Sequence, residues 1–167
     1  YNFSLAVNYK ADIIVDHFGN GEKWNVKIEY LYEKSPLGTC GALSLMNEVP
    51  KDNFIVMNGD LLTQANFATI LDYHDDLKSV ATMCVREFEV QVPYGVVKIN
   101  GNKIDSIHEK PKETSFINAG IYIFSPKIFD FIPKDQYLDM PSLFNNLQES
   151  DLPTHVYNLK DYWLDIG

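Results

Sequence analysis

Positive charge is thin in this sequence. Its 14 Lys and Arg face 23 Asp and Glu, a formal net charge of −9 over 167 residues, and no basic cluster offsets it. Nucleic acid is excluded as the expected partner, because backbone phosphates are held by gathered Lys and Arg. Any polyanionic ligand must meet a few local cations or an imported metal. Cysteine is scarce too: Cys40 and Cys84 make neither a disulfide framework nor a zinc-binding spacing. Both lie in apolar surroundings, as buried free thiols do. No apolar run approaches the ~20 residues that span a bilayer, and no signal-peptide pattern opens the sequence. No membrane partner and a cytoplasmic setting are therefore expected. His17, His74, His108 and His155 are scattered without metal-ligand spacing, and no Ser or Cys sits beside a base that would activate it. Internal repeats, low-complexity tracts and linkers are missing, so residues 1–167 read as one domain.

What is present is enough apolar residue, 46%, for a folded core. The most informative stretch is Phe54-Ile55-Val56-Met57-Asn58-Gly59-Asp60. A short apolar run stopped by a turn signal suits a strand buried on both faces. Ligand crevices in open α/β sheets lie beyond the carboxyl ends of such strands. Asp60 is then placed to hold Mg²⁺ against a phosphate, or else to cap the following helix.

Along the chain, Phe3 to Val7 reads as a strand and Ala11 to Phe18 as a helix stopped by Gly19-Asn20-Gly21. Val26 to Tyr32 alternates as a strand. Ala42 to Val49 reads as a helix closed by Pro50, residues 67 to 74 as another, and Val80 to Phe88 as a strand. Strand and helix alternating in this way argue for a parallel sheet with helices on both faces. The second half differs. Tyr94 to Ile99 and Lys103 to His108 flank Asn100-Gly101-Asn102 as an antiparallel hairpin. Phe116 to Phe124 is an apolar strand, Ser125-Pro126 an N-cap with Pro at the first position of a short helix, and Met140 to Gln148 a further helix. Short strands follow at Thr154 to Leu159 and Tyr162 to Ile166. The fold class expected is α/β: a Rossmann-like mixed, mainly parallel sheet with helices on both faces and an antiparallel hairpin insertion.

Four further segments are candidates for chemistry. Pro36 to Gly41 is a glycine-containing loop before a helix, whose N–H groups suit an anion or a base edge. Gly95 sits near a strand start, where a ligand can approach the backbone or where a hairpin needs a glycine. Glu109-Lys110-Pro111 sets a carboxylate beside an ammonium. On an extended strand the two point to opposite faces, Glu109 to accept from hydroxyls and Lys110 to meet a phosphate; otherwise they are a solvated pair. Asp165 lies between Leu164 and Ile166 with Trp163 close by, and a carboxylate in such company needs a partner, a metal ion or a backbone N–H.

In this order, Pro36-Leu37-Gly38-Thr39-Cys40-Gly41-Ala42-Leu43, Asn58-Gly59-Asp60, Tyr94-Gly95-Val96-Val97, Glu109-Lys110-Pro111, Asn118-Ala119-Gly120-Ile121-Tyr122 and Trp163-Leu164-Asp165-Ile166-Gly167 together resemble the sugar-phosphate nucleotidyltransferases, or nucleotide-sugar pyrophosphorylases. The likeness runs from about Tyr1 to Gly167, and its wording is nearest the guanylyltransferase type, such as mannose-1-phosphate guanylyltransferase. The resemblance implies a nucleotide-sugar and pyrophosphate made from a nucleoside triphosphate and a sugar 1-phosphate, with Mg²⁺ as cofactor. It implies Leu37 and Gly38 at the nucleotide base, and Asp60 and Asp165 on the metal. Gly95, Glu109 and Asn118 would line the sugar and Lys110 would meet its phosphate. A homo-oligomer is compatible with it.

The family pattern opens with a strand and a Gly-rich loop bearing an Arg, which this sequence does not contain. The expectation is a core domain without that strand, loop and C-terminal end, inactive by itself. A non-catalytic nucleotide-sugar-binding or regulatory module of the same fold is the alternative. A glycosyltransferase is a weaker one, since no Asp-x-Asp pair follows the central strand.

Overall fold

The computed structural model describes residues 1–167. Two strands open the chain, β1 (Asn2–Val7) and β2 (Lys27–Tyr32), parallel from Asn2 opposite Lys27 to Val7 opposite Tyr32. The connection contains α1 (Ala11–Phe18), ended by Gly19, whose φ of 55° and N–H bond to Val15 O turn the chain out of the helix. Next comes α2 (Gly38–Gly41), running into a 3₁₀ turn over Ala42–Leu45. The helix expected to reach Val49 stops there. Ser44 Oγ donates to Gly41 O and Met46 is already extended.

The central sheet is built from β3 (Phe54–Met57), β5 (Ala81–Gln91), β8 (Lys112–Phe124) and β9 (Thr154–Asn158), in the order β3-β8-β5-β9. Between these lie β4 (Leu61–Thr63), α3 (Phe67–Asp76), the hairpin β6 (Val96–Asn100) and β7 (Lys103–His108), and α4 (Met140–Glu149), with β10 (Trp163–Asp165) last. Asn66 caps α3 by accepting from Ala68 N and Thr69 N, and Asp139 caps α4 by accepting from Ser142 N. The turn after Ser125 has Pro126 in its first position, but it is 3₁₀. Ser125 Oγ caps nothing and is buried without a partner.

The alternation of β8 explains the two-sided core. Tyr122 and Phe124 face α4, with Ile128, Met140, Leu143 and Leu147. Ala119, Ile121 and Ile123 face the α3 side, with Ile70, Cys84 and Leu159. The mixed α/β, Rossmann-like class with helices on both faces and a hairpin insertion is the architecture of the chain. Within it, parallel pairing is confined to β1–β2 and β5–β9; β8 runs antiparallel to both β3 and β5. Nor is β3 buried on both faces. Phe54, Ile55 and Val56 are half-buried and Met57 is 38% exposed, because β3 has a neighbour, β8, on one edge only. No strand of this chain joins β1 to β3. No helix is long and apolar enough to cross a membrane.

Candidate active site

Asp60 and Asp165 are 105 positions apart in sequence yet adjacent in space. After β3 the N–H of Asn58 donates to Gly120 O (2.9 Å), and the chain turns through Gly59-Asp60 into β4. Antiparallel β10 pairs with β4, placing Asp165 opposite Leu61, and Ile166 N donates to Asp60 O (2.9 Å). The two carboxylates converge on Gly167. A Cβ there would lie 2.5 Å from Asp60 Oδ2 and 3.3 Å from Asp165 Oδ1. Asp165 Oδ1 also accepts from Gly167 N (2.9 Å). The helix-capping alternative for Asp60 falls away, since Asn66 caps α3.

Two carboxylates in one place repel unless a cation joins them. No ion pair supplies one: the single salt bridge of the structure is Lys112–Glu89, at 2.8 Å. No third His, Cys, Asp or Glu completes a cluster with them. Two acidic side chains that both approach Gly167 are a donor set of the kind Mg²⁺ takes, since it keeps waters and takes further oxygens from phosphates.

Asn118 lies on β8, two residues before Gly120. Its Oδ1 accepts from Gly120 N (2.9 Å) and its Nδ2 donates to Tyr122 Oη (2.7 Å). Gly120 has φ +68°, and a Cβ on it would sit 2.9 Å from Asn58 Nδ2 and 3.0 Å from Leu61 Cδ1. Only glycine lets β8 approach the Asn58-Gly59-Asp60 turn this closely. Burial pushes the Tyr122 phenol up, against the downward pull of the Asn118 bond, so it stays protonated.

Trp163 ties β10 to the same strand: its indole N–H donates to Ala119 O (2.8 Å). The guanidinium of Arg86 lies over that indole, 5.8 Å from the ring centroid, and donates to Asp161 O (2.6 Å). Arg86 is the only arginine of the chain. Sequence reasoning picked out Trp163 only as a neighbour of Asp165 and passed over Arg86. Their pairing is carried by tertiary contacts that no spacing announces.

Gly95 and Glu109 meet at the base of the hairpin, where a Cβ on Gly95 would lie 3.0 Å from Glu109 Oε2. Glu109 and Lys110 are not neighbours on an extended strand with opposite faces. Both occupy a bend between β7 and β8 rather than an extended strand, and Lys110 has φ +44°. Lys110 N donates to Tyr94 O (3.2 Å) and its carbonyl accepts from Gln91 Nε2 (3.3 Å). A left-handed lysine before a proline is strained backbone, held by its surroundings.

The loop at Leu37 and Gly38 is also more engaged than expected. Leu37 is buried and its N–H donates to Glu33 Oε2 (2.8 Å). Cys40 N and Gly41 N both donate to Leu138 O, so these two N–H groups do not face a ligand. Gly38, at φ +78°, leaves no room for a side chain, since a Cβ would be 2.6 Å from Leu138 O. Burial pushes the Cys40 and Cys84 thiols up to about 12, helped at Cys40 by Asp139, so neither is a thiolate nucleophile at neutral pH. The candidates therefore gather in separate places: Asp60 and Asp165 at Gly167; Asn118 at Gly120, which the Asn58 turn before Asp60 contacts; Gly95, Glu109 and Lys110 below the hairpin; Leu37 and Gly38 against Leu138.

The family model "Nucleotidyl transferase" matches residues 3–167. A mannose-1-phosphate guanyltransferase of Schizosaccharomyces pombe is 35% identical over 98% of the chain and 47% of its own length. A UTP–glucose-1-phosphate uridylyltransferase of Synechocystis is 33% identical with the same coverage. The chain thus spans about half the length of the curated relatives it matches. Among solved structures, HddC from Yersinia pseudotuberculosis complexed with GMP-PN superposes with a TM-score of 0.65 at 27% identity, covering 98% of this chain and 72% of that one.

Proposed function

The chain belongs to the nucleotidyl transferase family, and from that premise we propose that the complete protein joins a nucleoside triphosphate to a sugar 1-phosphate, releasing pyrophosphate. The observation that carries this reading is the convergence of the Asp60 and Asp165 carboxylates on Gly167, with neither of them in an ion pair to a lysine or arginine. In the proposed reaction an oxygen of the sugar phosphate attacks the α-phosphorus and pyrophosphate leaves. Both reactants are anions, so positioning and charge neutralisation are the main tasks, and no protein nucleophile is required. The protonated thiols of Cys40 and Cys84 suit that.

Asp60 and Asp165 would hold Mg²⁺, which when bound neutralises charge on the phosphates. Lys110, exposed and in no ion pair, would meet the sugar phosphate. Gly95, Glu109 and Asn118 would line the sugar, with the Glu109 carboxylate against Gly95 accepting from hydroxyls. Leu37 and Gly38 would border the base through the backbone, since the Leu37 side chain is buried.

The likeness to the fungal mannose-1-phosphate guanyltransferase and to the GMP-PN complex favours a guanine nucleotide and a mannose-type sugar 1-phosphate. A place in nucleotide-sugar biosynthesis, and through it in polysaccharide biosynthesis, follows from that reading. The alternative, a non-catalytic binding or regulatory module, draws support from none of these relatives. The unjoined edges of β1 and β3 support a further strand of the complete protein between them.

The test is pyrophosphate release by the complete protein across a panel of triphosphates and sugar 1-phosphates, with and without Mg²⁺. Metal-dependent release with one pair, GTP and mannose 1-phosphate foremost, is expected. Tight nucleotide-sugar binding with no release from any pair would favour the module.

A further inference from the structure

The side chain of Asn118 is held at both ends. An amide can be placed either way round, and the neighbours decide which. Here they decide it, because Gly120 N–H can only donate and must therefore face Oδ1 (2.9 Å). Nδ2 is thereby turned to Tyr122 Oη, 2.7 Å away, and spends one of its two hydrogens there. Its second hydrogen has no partner in the protein. The Tyr122 ring that fixes this geometry is 2% exposed. It is stacked on Phe124 with an 11° interplanar angle and packed against Phe144. It belongs to the α4 side of the core, so its hydroxyl is delivered to Asn118 by packing rather than by a flexible side chain.

We propose that Tyr122 is a positioning residue: together with Gly120 it locks the Asn118 amide, so that at this point the sugar subsite offers its ligand an N–H donor. This inference rests on the reading of Asn118 as a residue that lines the sugar. It assigns a task to a buried tyrosine that touches no substrate, and it fixes the polarity of the recognition. The sugar atom facing Asn118 accepts a hydrogen bond.

Two substitutions in the complete protein separate the possibilities. Tyr122→Phe keeps the ring and its packing and removes the hydroxyl. The KM for the sugar 1-phosphate should rise roughly five- to tenfold, the worth of about one hydrogen bond, with the triphosphate KM and kcat unchanged. Asn118→Asp retains both internal bonds, since the Tyr122 hydroxyl can turn and donate to a carboxylate, but it has no N–H to offer. Its sugar KM should rise at least as far at an unchanged Tm. A wild-type sugar KM in either variant overturns the inference. So does a joint rise of both KM values with a lowered Tm in Tyr122→Phe, which would make the tyrosine a packing residue alone. Failure of the wild-type protein to release pyrophosphate with every pair would overturn the functional reading and this inference with it. A working wild type beside an unaltered Tyr122→Phe overturns the inference only.

Discussion

At the scale of single residues, Lys110 joins backbone strain to a proposed chemical task. Its φ of +44° is a conformation that glycine adopts freely and lysine does not. Strain of this kind costs on the order of 1–3 kcal/mol and persists where the surroundings enforce it, often at functional sites. Two substitutions pull the two roles apart. Lys110→Ala in the complete protein removes the ammonium that would neutralise the sugar phosphate, worth about 3 kcal/mol by analogy with other electrostatic donors. The kcat/KM should fall roughly a hundredfold. Lys110→Gly should lose activity to the same extent while its Tm rises, because the strain is relieved. Near-normal turnover in both would return Lys110 to the solvated surface.

At the scale of elements, β10 shows how a minimal strand is kept in place. Its ladder with β4 holds only three residue pairs, and its side-chain tie to the central sheet is the Trp163 indole on Ala119 O. Trp163→Phe should therefore destabilise the protein by about 1 kcal/mol, the usual net worth of a hydrogen bond. In the same variant Asp165 should bind metal more weakly, read by Mn²⁺ titration; undiminished metal binding would show that the β4–β10 ladder alone suffices. Elements with strong local signals were legible in the sequence. The hairpin follows from the strand patterns around Asn100-Gly101-Asn102, and α4 was expected over Met140 to Gln148. What was not legible depends on partners: β4 exists by pairing with β10, the short strand expected at Tyr162 to Ile166, and β3 is half-buried because only β8 lies beside it. The site divides in the same way. Asp60 and Asp165 stood out as acids at the ends of apolar runs. The hydroxyl that Asn118 meets, and the bend that sets Lys110 in a left-handed conformation, are products of packing.

At the scale of the whole molecule, stability and site respond to different groups. His74 is fully buried on α3, its Nδ1 bonded to Thr82 Oγ1 (2.8 Å) and its Nε2 without a partner. Burial lowers its pKa below the usual histidine value of 6.5, as does His155 nearby, while Asp75 pulls it upward. Above pH 6.5 the ring is neutral in both folded and unfolded chains. As pH falls below 6.5 the unfolded chain takes up a proton that the folded one resists, so stability declines. Urea unfolding from pH 8 to pH 5 should show this decline, and His74→Asn should flatten it; an equal decline in that variant would assign the effect to other groups.

The active-site claim makes a different demand on the molecule, that β3, β4, β8 and β10 together bring two distant carboxylates to one cation. Its most direct test is a crystal structure of the complete protein with a nucleoside triphosphate and Mn²⁺, the anomalous stand-in for Mg²⁺. The account predicts one anomalous peak beside Gly167, with an oxygen of Asp60 and an oxygen of Asp165 both in its coordination sphere, at about 2.0–2.2 Å, close to Mg²⁺ distances. A metal held by phosphate oxygens with either carboxylate turned away would contradict it.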